Sequence, residues 1–149
     1  MPTEIRTSHY STRDRDRVDI TRAGCDRAKA ANRPAPGEVL APSAALVFPT
    51  LRALKAAASD EARGAIWTGY RAAYLDEIRA RWRGCRRAEI EALLDRPRVV
   101  LVCFCRDPRR CHRTIAAEIL GKIGAGLGAQ CLGEIDPPEG DILSPPRAP

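Results

Sequence analysis

The sequence predicts a single α/β domain, in which helices flank a small and at least partly parallel sheet. The strongest evidence is an apolar, β-branched run of strand length at residues 99–105. A short charged turn follows it, and then a helical pattern with Ile115, Ile119 and Ile123 four residues apart. Short strand patterns and longer helical patterns precede this run, and that order of elements favours the α/β class.

The length and composition are typical of one soluble globular domain. The chain has 149 residues, of which 44% are hydrophobic and 30% are charged, so it suits one core better than two. We expect the domain to occupy residues 1–135. Residues 136–149 contain five prolines, and we expect them to form a poorly ordered tail.

Three segments outside the central run are predicted as strands. Residues 4–8 form a weak strand candidate, and residues 18–22 alternate in the manner of a half-buried strand. Residues 24–37 are polar and end in prolines, so they are predicted as an irregular loop. A last short strand is expected at residues 129–133, after a glycine-rich turn.

Capping residues and apolar spacing place the helices. Ser43 suits the N-cap of a helix that Pro49 should break or kink. Ser59 and the two acidic residues after it open a long helix that should reach Arg83, and a shorter helix is predicted at 86–94. The long helix carries a stripe with a spacing of four, which predicts a core-facing surface: Ile66, Tyr70, Tyr74 and Ile78.

The charge of the chain and its lack of targeting patterns indicate which partners and which compartment to expect. The net charge is +6, and 22 of the 25 basic residues are arginine, which matches phosphate and carboxylate groups, although a GC-rich genome produces the same bias. No apolar run approaches the length of about 20 residues that a membrane span needs. The N-terminus lacks a secretory pattern. We therefore expect a cytoplasmic protein without a membrane partner, whose six cysteines are free thiols, metal ligands or catalytic groups.

A candidate site lies where the 99–105 strand ends. Ligands of open α/β sheets bind beyond the carboxyl ends of the strands. Three of the six cysteines and one of the two histidines fall within ten residues here. The free amides and the dipole of the helix start favour an anion. Four arginines near the turn can bind it in bidentate fashion: Arg106, Arg109, Arg110 and Arg113.

Two residues at the helix start are candidates for catalysis. Cys111 lies near a helix N-terminus and several arginines, an environment that lowers the pKa of a thiol, so it is a candidate nucleophile. His112 is a candidate proton carrier because the usual pKa of histidine lies near neutral pH. We expect Arg113, Cys105 and Arg106 to contact the ligand. A solvated basic turn without a ligand is the alternative.

A metal site is a competing interpretation of the same residues. A Cys3His set, a composition known from structural zinc sites, is supplied by Cys103, Cys105, Cys111 and His112. Their spacing differs from the common zinc patterns, and Cys103 by itself also suits a small buried hydrophobic position. We therefore predict no cofactor as the first choice and keep zinc as the alternative.

The first two strands are expected to supply the opposite wall of the pocket. Tyr10 and Ser11 follow the first strand, next to His9. Asp19 and Arg22 lie in or just after the second strand. We predict that these polar side chains line the ligand site. An Asp19–Arg22 pair with a purely structural role is the alternative, because buried polar groups need partners.

The end of the predicted domain carries a specific motif. An apolar strand ends near a cysteine at 99–103, an Asp-Pro turn follows at 107–108, and Cys-His-Arg opens a helix at 111–113. In these features the chain resembles the domain-of-unknown-function 488 family of small bacterial proteins. Cys105 stands where that family is expected to have an acidic residue, which favours a thiol role at this position.

The start of the chain is also similar to that family. The matching residues are Tyr10-Ser11 at the end of the first strand and Val18-Asp19-Ile20 with Arg22 in the second. His9 stands where glycine is common in the family, and Thr21 adds one residue before Arg22. The resemblance implies an α/β fold and the location of the site, and little about the substrate.

These observations lead to three hypotheses about function. The first is an enzyme or enzyme-like domain that binds a phosphate-bearing or otherwise anionic, nucleotide-like ligand at the Cys-His-Arg helix start. The second is a non-catalytic nucleic-acid-binding module that uses an arginine-rich surface. The third is a domain whose Cys3His cluster holds a structural zinc ion.

Overall fold

The computed structural model of the protein describes residues 2–105 and 110–135, and its strands form one four-stranded sheet. The strands are β1 (Glu4–His9), β2 (Arg17–Asp19), β3 (Arg98–Cys103) and β4 (Gln130–Glu134). Their order across the sheet is β2-β3-β1-β4, and every neighbouring pair is parallel. The prediction of a single α/β domain with a small and at least partly parallel sheet is confirmed, and the sheet is parallel throughout.

Five α-helices connect and cover these strands in the described residues. They are α1 (Arg22–Ala30), α2 (Ala44–Ala56), α3 (Asp60–Arg83), α4 (Arg87–Leu94) and α5 (His112–Ile123). Short 3₁₀ turns lie at Glu38–Leu40 and Ala125–Leu127. None of the helices in the described ranges combines the length and the apolar character needed to cross a bilayer.

The predicted helix starts agree with the capping chemistry of the chain. The Oγ of Ser43 accepts a hydrogen bond from the amide of Leu46 at 3.2 Å, and the Oγ of Ser59 accepts one from the amide of Ala62 at 3.1 Å. Each serine oxygen satisfies an amide that has no partner within its own helix. The long helix α3 ends at Arg83, as its sequence pattern predicts.

The core lies between the sheet and the helices α3, α4 and α5. It combines sheet residues such as Ile5 and Leu101 with Tyr74 of α3 and Ile115 of α5. Tyr74 is fully buried, and its hydroxyl donates a hydrogen bond to the carbonyl of Leu40 at 2.7 Å. The predicted stripe on the long helix is confirmed as a core face, since three of its members are buried: Tyr70, Tyr74 and Ile78.

The central strand β3 is enclosed on both of its faces. Val99, Val100, Leu101 and Val102 are all inaccessible to solvent, although successive side chains of a strand point to opposite faces. This enclosure matches the continuous apolar run in the sequence, which is typical of parallel strands. β3 therefore provides a rigid base for the residues that follow it.

The predictions for residues 18–37 are wrong in part. Residues 24–37 do not form an irregular loop throughout, because the helix α1 begins at Arg22 and the strand β2 ends at Asp19. Thr21 caps α1 by accepting a hydrogen bond from the amide of Gly24. The buried residue Cys25 then fixes the helix, since its thiol lies 3.3 Å from the carbonyl oxygen of Asp19.

Pro49 does not break its helix. α2 continues from Ala44 to Ala56 with Pro49 inside it. The proline removes the amide that would bond to the carbonyl of Ala45. Ala45 is exposed and α2 has no buried residue, so water can solvate that carbonyl. The tail predicted at 136–149 lies outside the described residues.

Candidate metal centre

The candidate site is built by the end of one strand and the start of one helix. β3 ends at Cys103, and Cys105 follows two residues later. The N-cap residue of α5 is Cys111, whose Sγ accepts a hydrogen bond from the amide of Arg113 at 3.5 Å. Because the strands are parallel, this is the carboxyl edge of the sheet, where α/β proteins bind ligands.

Three buried side chains bring their donor atoms together at this edge. The donor atoms of Cys103, Cys111 and His112 all lie within 4.8 Å of one another. The Sγ of Cys103 lies 3.5 Å from the Nδ1 of His112 and 3.7 Å from the Sγ of Cys105. Cys105 is half-buried and borders the group. These spacings allow one metal ion to contact several of the donors at once.

The imidazole of His112 is held in one orientation. Its Nε2 lies 2.9 Å from the carbonyl oxygen of Ile20, and its ring meets the ring of Tyr74 edge-on. A carbonyl oxygen only accepts hydrogen bonds, so Nε2 carries the hydrogen. Burial lowers the pKa of His112, against the opposing effect of the Ile20 carbonyl. The neutral ring therefore presents the lone pair of Nδ1 to the sulfur atoms.

The three thiols share their ionisation unequally. The hydrogen bond from Cys103, followed by the one from Cys111, lowers the pKa of Cys105 to about 3. The same contact with Cys105 raises the pKa of Cys103 well above its usual value. Cys103 acts to lower the pKa of Cys111, but the contact with Cys105 and burial outweigh it and raise that pKa to about 12. These directions favour the thiolate form at Cys105, the most exposed of the three.

This distribution does not favour Cys111 as a low-pKa nucleophile, and its catalytic role stays a prediction. Its side chain is inaccessible to solvent, and its pKa is raised. The helix start and the arginines lower the pKa of a thiol only where no second thiol and no burial oppose them. The role of His112 as a proton carrier also stays a prediction. Its ring is buried, and burial lowers its pKa.

Arg113 points inward and bonds to protein groups, so its predicted contact with an anionic ligand stays a prediction. Its Nη2 and Nε donate to the carboxylate of Glu134 at 2.9 and 3.2 Å. Its Nη1 donates to the carbonyl oxygen of Cys105 at 2.5 Å and to the Sγ of Cys111 at 3.4 Å. The side chain is 1% exposed. Arg113 therefore fastens the thiol segment to the end of β4.

Part of the predicted opposite wall does reach this edge. The amide of Tyr10 donates to the carbonyl of Cys103 at 2.9 Å, and the ring of Tyr10 stacks on Phe104 with centroids 4.1 Å apart. Ser11 is exposed, and its Oγ lies 2.9 Å from the Nδ1 of His9. Tyr10 thus lies beside the cluster at the end of the neighbouring strand, and the roles of Tyr10 and Ser11 in lining a ligand site stay predictions.

The other predicted wall residues, Asp19 and Arg22, do not pair with each other, and neither forms a hydrogen bond with the Cys/His group in the described residues. Asp19 does not pair with Arg22, because its Oδ1 accepts hydrogen bonds from the amide and the hydroxyl of Thr21. Arg22 instead forms an ion pair with Glu38 at 2.8 Å, and its side chain is 13% exposed. The first turn of α1 points Arg22 towards Glu38, which explains why the predicted pair is absent and gives Arg22 a structural role.

The charged turn between Cys105 and α5 is only partly described. Arg106, Arg109 and the Asp-Pro turn lie outside the described residues, so the predicted contact of Arg106 with a ligand stays a prediction. Arg110 is described and exposed.

Two contributors to the site were missed by sequence analysis. Glu134 is the partner of Arg113, and the carbonyl of Ile20 is the partner of His112. Glu134 is a single acid at the end of a short strand, and its position at the carboxyl edge of the sheet is the one signal that could have identified it. A backbone carbonyl carries no residue-type signal, so the role of Ile20 depends on the fold.

The fold and the cluster define the protein as a small, all-parallel α/β domain with a buried Cys/His group that can hold a metal ion at its carboxyl edge. The chain belongs to the DUF488 family: residues 5–124 match the family model described as the active DUF488-N3 subclade. No curated protein and no solved structure significantly matches the chain.

Proposed function

We propose that the protein is a zinc-binding domain, in which Cys103, Cys105, Cys111 and His112 hold one structural zinc ion. The spacing of the donor atoms is the observation that carries the proposal. A tetrahedral zinc ion, with bonds of about 2.3 Å to sulfur and about 2.0–2.1 Å to nitrogen, places its sulfurs about 3.8 Å apart and sulfur about 3.5 Å from nitrogen. The observed separations are 3.7 Å between Cys103 and Cys105 and 3.5 Å between Cys103 and His112.

The donor types favour zinc over the other common ions. Thiolates and imidazole suit zinc, whereas magnesium and calcium take oxygen ligands. Four protein ligands close a tetrahedral site and leave no position for a reacting water, which is typical of structural zinc. Cys105, which borders the group of three and whose Sγ lies 3.7 Å from that of Cys103, would supply the fourth ligand.

The surrounding contacts are those expected around a metal ligand. Metal-bound histidines commonly donate their second ring N–H to a carbonyl, as Nε2 of His112 does to Ile20. Three thiolates around a divalent cation leave one negative charge, and Arg113 donates to the Sγ of Cys111 beside it. The ion would join the end of β3 to the start of α5 and, through His112, to the residue after β2.

The metal hypothesis accounts for the burial that the other hypotheses leave unexplained. A nucleophilic thiol must reach its substrate, but Cys111 is inaccessible to solvent. An anion at the helix start requires free amides, but the amide of Arg113 already bonds to the Sγ of Cys111. Burial is an advantage for a structural metal site, because it protects the ligands from solvent.

Metal analysis of the purified full-length protein tests this proposal. We expect about one zinc equivalent per chain, and a lower melting temperature after treatment with a strong chelator, because metal binding and folding are coupled. Cys103→Ser should lose the metal. The matched control is Cys25→Ser, which removes another buried free thiol outside the cluster and should retain the zinc. A zinc-free wild type, or full zinc content in Cys103→Ser, would contradict the proposal.

A further inference from the structure

A cleft of about 400 Å³ opens beside the end of β2, and no residue of the Cys/His group lines it. Its walls are the end of β2, the first two turns of α1 and residues 33–36. Tyr10, which follows β1, lines it as well. The cleft therefore lies at the carboxyl edge of the sheet, the general position of ligand sites in parallel α/β folds.

Three exposed arginines line this cleft. The side chains of Arg27 and Arg33 form no hydrogen bond or ion pair with any other residue in the described ranges. Arg17 lies over the ring of Tyr10, with 4.6 Å between its guanidinium carbon and the ring centroid, and donates one hydrogen bond to the carbonyl of Thr12. Arg27 and Arg33 thus keep their full donor sets for an oxyanion, which arginine binds in bidentate fashion.

A carboxylate stands in the same cleft. The Oδ1 of Asp19 accepts two hydrogen bonds from Thr21, whereas its Oδ2 has no donor among the described residues. Gly24 lets this carboxylate approach the helix, because a Cβ on Gly24 would lie 1.9 Å from Oδ2. A free inorganic anion would be repelled by Asp19. A ligand that carries hydroxyl groups as well as a phosphate satisfies both Asp19 and the arginines.

We propose that this cleft binds a nucleoside phosphate, with the phosphate on Arg27 and Arg33 and a sugar hydroxyl donating to Oδ2 of Asp19. The volume is within the range of small-ligand sites, which begins at about 300 Å³. Tyr10 adds an aromatic wall whose ring is fixed between Phe104 and Arg17. This proposal is independent of the zinc proposal, because none of the four zinc ligands lines the cleft.

Calorimetric titration of the full-length protein with AMP, adenosine, inorganic phosphate and a short oligo(A) RNA tests the proposal. We expect saturable binding of AMP that is tighter than binding of adenosine or phosphate, since each of these lacks one half of the contacts. Added salt should weaken it because the arginines are exposed. Tighter binding of the RNA than of AMP would identify a strand as the source of the nucleotide, and the reverse order would identify a free nucleotide. If neither AMP nor the RNA shows saturable binding, the proposal is overturned.

Two variants locate the binding in the cleft. The double variant Arg27→Gln/Arg33→Gln should bind AMP about tenfold more weakly, as expected for two exposed charge contacts. The matched control Arg52→Gln/Lys55→Gln removes the same charge from exposed positions on α2 and should bind as the wild type does. Equal losses in both double variants, or no loss in the cleft variant, would overturn the proposal.

A third variant tests the role of the carboxylate. Asp19→Asn keeps the Oδ1 acceptor for Thr21 but removes the acceptor at Oδ2. This variant should bind AMP about tenfold more weakly, which is the typical effect of losing one hydrogen bond to a charged group. Its affinity for inorganic phosphate should not decrease. Unchanged AMP affinity in a folded Asp19→Asn protein would exclude the sugar contact. Zinc content should stay the same in all these variants, which separates this test from that of the metal centre.

Discussion

The guanidinium of Arg113 and the carboxylate of Glu134 form an ion pair at 2.9 Å, in which the arginine is 1% exposed and the glutamate 29%. The pair joins the first turn of α5 to the end of the edge strand β4. Glu134 also accepts a hydrogen bond from the hydroxyl of Thr7 on β1. One carboxylate thus connects two strands to the helix that carries Cys111 and His112.

Glu134→Gln should destabilise the protein by about 2–3 kcal/mol, because removing one partner leaves a buried charge without compensation. Chemical denaturation monitored by circular dichroism measures the change. The matched control is Glu118→Gln, which breaks an exposed pair with Arg71 and should cost less than about 1 kcal/mol. Equal effects of the two substitutions would show that the Arg113 pair contributes no more than a surface pair.

Gly24→Ala should destabilise the protein by about 1–3 kcal/mol, the usual cost of forcing an extra carbon into a filled space. The added Cβ would meet the carboxylate of Asp19 and the hydroxyl of Thr21. Gly64→Ala is the control within another helix. Nothing lies within 4 Å of its Cβ position, so this change should stabilise α3 by about 0.5–1 kcal/mol. Thermal melts of both variants test the contrast, and a stable Gly24→Ala protein would contradict it.

Glu38 should contribute to acid sensitivity. Burial acts to raise the pKa of Glu38, but Arg86 and Arg22 outweigh it and hold the pKa below its usual value. The stabilisation is therefore complete above the unfolded-state pKa, near 4.5, and is lost as the pH falls from there through the lower folded-state pKa. Glu38→Gln should lower stability at pH 7 by about 1–3 kcal/mol and flatten this decline.

Denaturation across that pH range tests the role of Glu38. Glu91→Gln is a suitable control, because Glu91 forms an exposed pair with Arg87 and its variant should follow the wild-type profile. A Glu38→Gln profile parallel to that of the wild type would refute the prediction.

Cobalt substitution should report the number of sulfur ligands in the proposed metal site. Cobalt takes the place of zinc in tetrahedral thiolate sites and makes them visible by absorption. Cys105→Ser should weaken the sulfur-to-cobalt absorption and the affinity for the metal, whereas Cys85→Ser, at an exposed position, should change neither. An unchanged spectrum in Cys105→Ser would mean that the other three residues hold the ion without Cys105.

Local signals were sufficient for most elements of the fold. The helix α3 was predictable because Ser59 caps it and its apolar side chains repeat every four residues. α1 was not, since only Gly24 and Cys25 are buried in it and its composition resembles that of a loop. The thiol of Cys25 and the cap Thr21 stabilise α1 through contacts around Asp19, and tertiary packing overrides weak local preference.

The site was predictable in position but not in chemistry. Residues 103–112 are close in sequence, so any compact fold brings the three cysteines and His112 near one another. An anion site, a nucleophile and a metal site use the same residue types here. Only the direction of each side chain separates them, and those directions depend on Ile20 and Glu134, which are distant in the sequence.

The sequence by itself determined the parallel α/β class, the buried central strand and the concentration of cysteines at its carboxyl end, because these follow from hydrophobic periodicity and chain order. Only the tertiary structure decided that Arg113 points inward to Glu134 and that His112 presents Nδ1 to the sulfur atoms. It also decided that Arg22 pairs with Glu38 and not with Asp19. The physical reason is that buried polar groups take whichever partners the fold brings within hydrogen-bonding distance, and sequence spacing does not specify those partners.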